Sequence, residues 1–213
     1  MEKYPRIQRR IDERASAITD ELRQVARRFG QEFFDGDRLC GYGGYRYHPR
    51  FWQETVRYFR DHYGLKEDAA VLDVGCAKGF MLHDFKMLMP KLTVSGIDVS
   101  EYALIHAIDT VRPYLALGNA KDLPYPDRSF DLVVSINTIH NLPLVEVKQA
   151  LREVSRVSKG HAFITVDAWH NDEERKQMMK WNLTALTTLH VDDWQRLFSE
   201  VGYGGDYYWF IAE

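Results

Sequence analysis

The sequence predicts a doubly wound α/β fold with a mostly parallel sheet, preceded by an N-terminal helical extension. From Ala69 onward, short apolar runs alternate with longer stretches of helical spacing. Strands that are apolar throughout are typical of a parallel sheet buried on both faces, and the helices between them supply right-handed crossovers. We therefore expect a single domain over residues 1–213, with N-terminal helices and a lid loop in residues 1–65 and a sheet core in residues 69–213.

The N-terminal part begins with helical periodicity. Apolar residues recur at steps of three, four or their sum from Ile7 to Phe29, so residues 6–29 are predicted to form one amphipathic helix that ends at Gly30. Its apolar stripe is expected to pack on the domain, and a homodimer contact or a flap beside a cleft are the alternatives. A loop dense in glycine and aromatic residues follows, and helical spacing resumes over residues 51–63.

In the core, predicted strands and helices alternate along the chain. The predicted strands are AAVLDV, LTVSGIDV, YLAL, SFDLVVSIN and HAFITVDAW, and the predicted helices are GFMLHDFKML, SEYALIHAIDTV and VEVKQALREVSRV. Residues 172–186 and 191–201 also have helical spacing. The segment DYYWFIA is predicted to be the last strand.

Composition and charge narrow the class of protein. With 45% hydrophobic and 28% charged residues, the chain resembles an ordinary globular domain. No apolar run reaches the roughly 18 residues that span a bilayer, and no secretory signal is evident, so we expect a cytoplasmic protein without membrane contact. Two cysteines are too few for a disulfide framework. The net charge of −3 argues against a global attraction to nucleic acid.

The segment VLDVGCAKGF carries the main ligand-binding signal. Glycines at a strand-to-helix turn let a ligand approach the backbone closely, and the helix offers free N–H groups. Asp98 ends the next predicted strand, where a carboxylate can hold both hydroxyls of a ribose. Together these features indicate an adenosine-containing cofactor. A nicotinamide site would need glycine where Ala77 and Phe80 stand.

The pattern D-x-G-x-x-x-G, with an acidic residue ending the next strand, resembles the class I S-adenosylmethionine (SAM) dependent methyltransferases. LDVGCAKG is similar to the first motif of that family, and SGIDVSEYAL is similar to its ribose-binding segment. GNAKDLPYPDRSFDLVVSINTIHNLP is similar to the stretch that leads from the adenine-binding turn into the fourth strand. The resemblance implies a Rossmann-like core, SAM as the cofactor and S-adenosylhomocysteine as its product.

The same resemblance identifies candidate cofactor contacts. They are Asp73, Gly75, Cys76, Ala77, Gly79, Asp98, Val99, Asn119, Ala120 and Ser135. Two of them depart from the family pattern, since Ala77 stands at the central glycine and Asn119 replaces the aspartate that contacts the adenine amino group. The amide oxygen of Asn119 can accept that hydrogen bond. Lys78 is also bulkier than the usual threonine or serine.

For the chemistry, the resemblance implies an in-line displacement in which positioning supplies most of the acceleration. SINT stands where family members that methylate planar amino groups have N-P-P-[YF], and neither cysteine lies in a catalytic loop. Asn137 and Thr138 stand where metal-dependent members have acidic residues, so we expect metal-free transfer. The predicted acceptor is an oxygen or nitrogen of a small polar metabolite, such as a sugar, an amino acid derivative or a natural-product intermediate.

Two other functions remain open on the sequence. The altered first motif is compatible with a SAM-binding regulatory subunit that has no activity. The first thirty residues carry eight Lys and Arg against five Asp and Glu, so this basic helix is a candidate docking surface for RNA or protein methylation.

Acceptor contacts are expected at the carboxyl ends of the strands, where open α/β sheets bind ligands. His140 is the candidate catalytic residue, as a general base with an ordinary pKa of about 6.5, and the alternative is that it satisfies local backbone groups. The loop GYGGYRY, residues 41–47, is predicted to close over sulfonium and acceptor, or else to seal the edge of the domain. The predicted acceptor contacts are Tyr42, Tyr45, Arg46, Tyr47, Asn137, Asn141, Trp169 and His170, while Asp167, His48 and His190 are further candidates.

The C-terminal part departs from the family. There the sheet typically ends with an antiparallel hairpin, whereas only one strand-like segment follows Gly202. We expect that the last strand is missing or is supplied by a partner chain.

Overall fold

A seven-stranded sheet forms the centre of the computed structural model, which describes residues 15–43 and 45–212. Its strands are β1 (Ala70–Val74), β2 (Thr93–Asp98), β3 (Leu115–Leu117), β4 (Leu132–Ile136), β5 (Ala162–Trp169), β6 (Leu189–His190) and β7 (Asp206–Phe210). The strand order is β3-β2-β1-β4-β5-β6, and β7 also pairs with β5. All pairings between these strands are parallel. The predicted doubly wound, mostly parallel fold is confirmed.

Helices cover both faces of this sheet. They are α1 (Asp20–Ala26), α2 (Gln31–Phe34), α3 (Gln53–His62), α4 (Phe80–Leu88), α5 (Glu101–Ile105), α6 (Leu144–Val157), α7 (Asp172–Trp181) and α8 (Val191–Val201). Side chains alternate along a strand, and β1 shows the consequence. Leu72 and Val74 pack with residues of α6 and α8, whereas Val71 packs with residues of α3 and α4. The core therefore consists of two layers, one on each face.

The last strand differs from the hairpin typical of the family. β7 pairs in parallel with residues 163–167 of β5, and the two-residue β6 pairs in parallel with residues 168–169 of the same strand. Sequence reasoning missed β6 because two residues carry no periodic signal.

The predicted continuous helix over residues 6–29 is wrong within the described residues, and its first part lies outside them. Helix α1 begins only after Thr19, whose Oγ1 accepts a hydrogen bond from Leu22 N and so caps the helix. Phe29 has a positive φ of 50°, and Gly30 then caps α2. The chain therefore turns at Phe29 and folds back over the carboxyl end of the sheet.

Hydrogen bonds to two parts of the core hold this N-terminal extension, residues 15–52. Ser100 Oγ donates to Phe29 O at 2.5 Å, before the first turn of α5. Arg27 Nε donates to Thr184 O at 3.3 Å, and Tyr42 Oη accepts from Leu183 N at 2.8 Å, both after α7. The extension thus bridges two distant parts of the core. No helix in the described ranges is long and apolar enough to cross a bilayer.

The connection from β3 to β4 is held by Arg156 on α6. Its guanidinium donates to Leu123 O at 3.0 Å and Tyr125 O at 2.7 Å, and it forms an ion pair with Glu153. A guanidinium can serve several acceptors at once because its donors are fixed in a fork. Arg156 therefore fixes the loop that begins at the predicted adenine-binding turn.

Replacing Arg156 by lysine should test this clamp. Lysine keeps the charge but offers a point donor, so we expect Arg156→Lys to lower the free energy of unfolding by about 1–2 kcal/mol. Arg152→Lys, at an exposed position of the same helix, should change it by less than about 0.5 kcal/mol. Urea unfolding of both variants measures the difference. Equal stability of the two variants would show that the clamp contributes nothing.

Candidate functional site

A cavity of about 470 Å³ lies between the carboxyl ends of β1, β2, β4 and β5 and the N-terminal extension. The loop after β1, the end of β2 and the turn after β3 line one side of it. The ends of β4 and β5, helix α7 and the extension line the other. This is the edge at which parallel α/β sheets bind ligands, as predicted from the sequence.

The turn from β1 into α4 requires glycine at residue 75. Gly75 has a φ of 85°, in the left-handed region, and its N–H donates to Ile97 O at 2.7 Å. A Cβ added to Gly75 would lie 2.0 Å from Thr138 Oγ1. The loop backbone is therefore packed directly against the segment after β4, and no side chain fits between them.

Asp98 holds this loop in place. Its Oδ2 accepts a hydrogen bond from Ala77 N at 2.8 Å, and its Oδ1 accepts one from Ser100 N at 2.8 Å. Ala77 has a positive φ of 48°, a left-handed conformation that is usual for glycine and uncommon for alanine. Each carboxylate oxygen has a second lone pair, which leaves Asp98 able to accept from ligand hydroxyls.

The same end of the cavity concentrates negative charge. Asp73 and Asp98 are 4% and 8% exposed. Burial, followed by the charge of Asp98, raises the pKa of Asp73 to about 8. Burial also raises the pKa of Asp98, although backbone hydrogen bonds from Ser100 and Ala77 oppose that effect. Two buried carboxyl groups favour either a proton or a cationic ligand, which fits the positive sulfonium and ammonium groups of SAM.

The remaining predicted cofactor contacts divide into two groups. Cys76, Val99, Asn119 and Ala120 line the cavity. Asn119 Oδ1 already accepts a hydrogen bond from Lys121 N at 3.1 Å, so an adenine would share that oxygen. Gly79 and Ser135 do not line the cavity. Gly79 caps α4, and the buried hydroxyl of Ser135 donates to Val74 O at 3.0 Å. Both residues therefore stabilise the elements that carry the site without lining the cavity.

Only some side chains of the loop 41–47 line the cavity. Tyr42 and Tyr45 line the cavity, and the ring of Tyr45 packs 4.6 Å from that of Phe34. Tyr47 instead donates its hydroxyl to Asp84 Oδ1 at 2.7 Å, and Arg46 is absent from the described lining. The loop therefore seals the cavity with two of its three tyrosines.

An ion pair fastens the extension to the cofactor loop. Lys78 Nζ lies 2.7 Å from both carboxylate oxygens of Asp35, and Tyr102 Oη donates to the same carboxylate at 2.8 Å. Burial alone would raise the pKa of Asp35, but these hydrogen bonds hold it below its usual value. Lys78, the bulky departure from the family motif, is thus a latch for the extension. Sequence reasoning missed its partner, which lies 43 residues away.

His140 lines the cavity, and its geometry favours donation of a hydrogen bond from the ring. Asp167 N donates to its Nδ1 at 3.1 Å, so the neutral ring carries its proton on Nε2, 3.7 Å from Asp167 Oδ1. Burial lowers the pKa of His140, and the charge of Asp167 opposes this. Nδ1 is therefore occupied as an acceptor, and Nε2 carries the proton on the side of the Asp167 carboxylate. This arrangement supports a hydrogen-bond donor rather than the predicted general base.

The other predicted acceptor contacts also fall into two groups, those that line the cavity and those that do not. Asn137 and Asn141 line the cavity, and Asn141 Oδ1 is buried with no hydrogen-bond partner among the described residues. Trp169 and His170 do not line it. The guanidinium carbon of Arg175 lies 5.7 Å from the centroid of the Trp169 ring. His170 Nδ1 lies within hydrogen-bond distance of Glu174 Oε2, at 3.0 Å.

The sequence did not single out Trp181, Thr184 or Phe210, which line the cavity. Trp181 ends α7 and Phe210 ends β7, so only the folded chain brings them there. Their aromatic character was a signal, but it is shared with many core residues of this chain.

Comparison with known proteins finds similarity to methyltransferases. Residues 72–166 match the family model described as methyltransferase domain. The demethylmenaquinone methyltransferase of Listeria welshimeri is 32% identical over 134 residues, which cover 58% of this chain and 52% of that protein. A Haemophilus influenzae protein is 29% identical over 161 residues, covering 66% of this chain and 60% of that protein. The chain thus spans little more than half the length of these curated relatives.

Solved structures share the fold. The YcgJ protein of Bacillus subtilis superposes with a TM-score of 0.53 at 21% identity, covering 70% of this chain and 67% of that one. A chain of the Haloferax volcanii complex between the Trm112 methyltransferase activator and a methyltransferase has a TM-score of 0.57 at 18% identity. That match covers 92% of this chain and 77% of the other.

Two glycine substitutions should separate steric conflict from backbone strain. Gly75→Ala combines a positive φ with a clash against the stiff side chain of Thr138, whereas Gly64→Ala has a positive φ of 58° with no atom within 4 Å. We expect Gly64→Ala to cost about 1 kcal/mol and Gly75→Ala at least about 2 kcal/mol more. Urea unfolding measures both, and equal losses would contradict the close packing of the loop.

Replacing Lys78 by methionine should loosen the extension. Methionine keeps an apolar stem but leaves Asp35 without its ammonium partner, so we expect amide hydrogen exchange in residues 29–43 to become about tenfold faster. Lys91→Met removes an exposed pair with Glu67 and should leave those amides unchanged. Unchanged exchange in Lys78→Met would show that packing alone holds the extension closed.

Proposed function

We propose that this chain, whose residues 72–166 match the model of a methyltransferase domain, transfers a methyl group from SAM to an oxygen or nitrogen of a small polar metabolite. The observation that carries the proposal is the cavity at the carboxyl edge of the sheet. There the glycine turn, Asp73 and Asp98 meet. A covered pocket next to these groups can hold both a donor and a small acceptor.

The cofactor would lie along one side of the cavity. Asp98 would accept from the ribose hydroxyls, and Asn119 and Ala120 would flank the adenine. The backbone at Gly75 permits close approach, and the carboxyl of Asp73 would face the positive charge of the ligand. SAM supplies a methyl group on a positively charged sulfur, which a nucleophile can take in line.

The chain itself excludes water and holds the acceptor. Phe33, Phe34 and Tyr45 pack together beside the cavity and would limit the access of solvent to it. Asp167 at the end of β5 can take up a proton that the acceptor loses, and the Nε2–H of His140 can orient a polar group. Acceleration would come chiefly from positioning, with Asp167 replacing His140 as the proton acceptor.

The size and cover of the cavity favour a small acceptor. The extension is fastened by the Lys78–Asp35 pair and by the Ser100 to Phe29 hydrogen bond, so a macromolecular acceptor would have to displace it. The Listeria relative also bears the name of an enzyme whose substrate is a small molecule, a demethylmenaquinone. Since Ala77 adopts a left-handed conformation that is open to glycine, the altered motif does not by itself argue for an inactive subunit.

Several expectations from the sequence stay predictions. They are the cytoplasmic location, the homodimer contact, the metal-free mechanism and the identity of the acceptor.

A calorimetric titration with SAM tests the cofactor, and release of S-adenosylhomocysteine in the presence of fractionated small metabolites tests the activity. We expect saturable binding and release with at least one metabolite fraction. Binding without release from any metabolite, protein or RNA fraction would favour the regulatory subunit. Release only with RNA, falling steeply with salt, would favour nucleic-acid methylation.

The pH dependence of SAM binding should report on Asp73. Its pKa of about 8 means that its carboxyl is protonated in the ligand-free protein at neutral pH. A bound cation favours the carboxylate, so binding expels that proton and the affinity should rise with pH by up to about tenfold per unit from roughly pH 6 to 8. Asp73→Asn should bind more weakly and without this rise. Asp109→Asn, at an exposed position, should keep it. A flat profile in the unsubstituted protein would contradict the role of Asp73.

A further inference from the structure

The chain leaves β4 through a residue with an uncommon backbone conformation. Asn137 directly follows the strand and has a φ of 51°, in the left-handed region. Asparagine visits this region more readily than most residues, but at a steric cost that glycine does not have. Such a conformation persists where the surrounding structure holds it. Asn137 lines the cavity, so the groups that hold it also shape the site.

Thr165 of β5 holds Asn137 in this conformation. Its Oγ1 accepts a hydrogen bond from Asn137 N at 2.7 Å and donates one to Asn137 Oδ1 at 2.7 Å. Asn137 N also donates to Thr165 O at 3.2 Å. One hydroxyl thus binds both the backbone and the side chain of the same residue. Thr165 itself is fully buried and lies outside the described lining of the cavity.

The next residue, Thr138, transmits this conformation to the turn after β1. A Cβ added to Gly75 would lie 2.0 Å from Thr138 Oγ1 and 2.4 Å from Thr138 Cγ2, so no space separates the two segments. Thr138 Oγ1 also donates to Ile136 O at 3.0 Å, which holds the side chain in place. A different φ at Asn137 would therefore push Thr138 into the backbone at Gly75 or withdraw it from the turn.

The carbonyl group of Asn137 is held as well. Asn141 Nδ2 donates to Asn137 O at 3.2 Å across the short helical turn Ile139–Asn141. His140 and Asn141, which both line the cavity, thus follow a backbone that is fixed at Asn137. The conformation of one residue therefore sets the position of the whole segment after β4.

A similar arrangement occurs on the other side of Gly75. Ala77 also has a positive φ, and its N–H donates to the side chain of Asp98 at the end of β2. Asn137 N donates in the same way to the side chain of Thr165 in β5. In both places an oxygen from a neighbouring strand stabilises a conformation that is unfavourable by itself. Thr165 thus holds the segment after β4 as Asp98 holds the turn after β1.

We propose that Thr165 is a positioning residue for the cofactor, which acts by holding Asn137 in its left-handed conformation and so keeps Thr138 packed against the turn at Gly75. This inference rests on the proposed methyltransferase function and adds a residue to its binding machinery. The effect depends on the backbone conformation of Asn137 and not on an unoccupied group of its side chain. Thr165 needs no contact with the ligand.

Calorimetric binding of S-adenosylhomocysteine to the full chain tests this role. Thr165→Val removes the hydroxyl and with it two hydrogen bonds to Asn137, so binding should weaken about tenfold. Thr165→Ser keeps the hydroxyl and should bind within about threefold of the unsubstituted protein. Thr55→Val makes the same change at a buried position of α3 outside the described lining, and should leave binding unchanged. Undiminished binding in Thr165→Val would overturn the proposal.

A double-mutant cycle shows whether Thr165 acts through Asn137. Glycine adopts a positive φ without steric cost, so the hydroxyl of Thr165 is no longer needed in the Asn137→Gly variant. In that background Thr165→Val should change binding by less than about twofold, against about tenfold when Asn137 is present. An equal loss in both backgrounds would overturn the proposal, because Thr165 would then act by another route.

Two substitutions of Asn137 test the backbone conformation even if Thr165→Val does not fold. Asn137→Ala and Asn137→Gly both lack the amide, but only alanine is disfavoured in the left-handed region. Asn137→Gly should therefore bind S-adenosylhomocysteine at least about fivefold more tightly than Asn137→Ala. Equal binding by these two variants would contradict the required conformation and overturn the proposal.

The unsubstituted protein separates the two levels of inference. If it binds no S-adenosylhomocysteine, both the proposed function and the role of Thr165 fail. If it binds S-adenosylhomocysteine but Thr165→Val binds equally well, only the role of Thr165 fails. Circular dichroism at the assay temperature establishes which variants are folded.

Discussion

The rest of the site depends on the two hydrogen bonds that the Asp98 carboxylate accepts. One comes from Ala77 N in the turn after β1, and the other from Ser100 N before α5. Together they tie the turns after β1 and β2 into one corner. Ala77 can keep a left-handed conformation there because its N–H has a charged acceptor, and hydrogen bonds to charged groups are the stronger ones. The corner then presents Gly75 and Asp73 to the cavity in a fixed arrangement.

The N-terminal extension is built onto this corner. Ser100, in the turn after β2, donates its hydroxyl to Phe29 O, and Lys78, in the turn after β1, reaches Asp35. Phe33 and Phe34 pack with Ala77 and Tyr102 in one apolar cluster. The cover of the cavity is thus attached to the wall formed by the turns after β1 and β2.

The sequence predicts contacts between residues that are close along the chain better than contacts between distant segments. The resemblance to class I methyltransferases is confirmed by the family match, and the parallel sheet was readable because each strand is a local apolar run. Asp73, Gly75 and Asp98 line the cavity because the turn and the next strand are local units of one βαβ motif. The break at Thr19 was missed because the capping hydroxyl competes with the helix, and an apolar spacing does not report this competition.

Contacts between distant segments could not be predicted from sequence patterns in the same way. Asp35 and Lys78, or Trp181 and Tyr42, meet only after the extension folds over the sheet. Spacing in an irregular loop does not fix side-chain direction, so Tyr47 turns to Asp84 while Tyr45 faces the cavity. The tautomer of His140 depends on the Asp167 N–H, 27 residues away, and no local pattern encodes it.

The attachment of the extension to the loop after β1 has a thermodynamic consequence. Ordering of this loop and closure of the extension form one equilibrium, since Lys78 belongs to the loop and Asp35 to the extension. A ligand that orders the loop therefore also favours the closed extension. By reciprocity, a second ligand that prefers the closed extension tightens the first by the same factor. The two ligands would then bind with positive cooperativity even if they never touched each other.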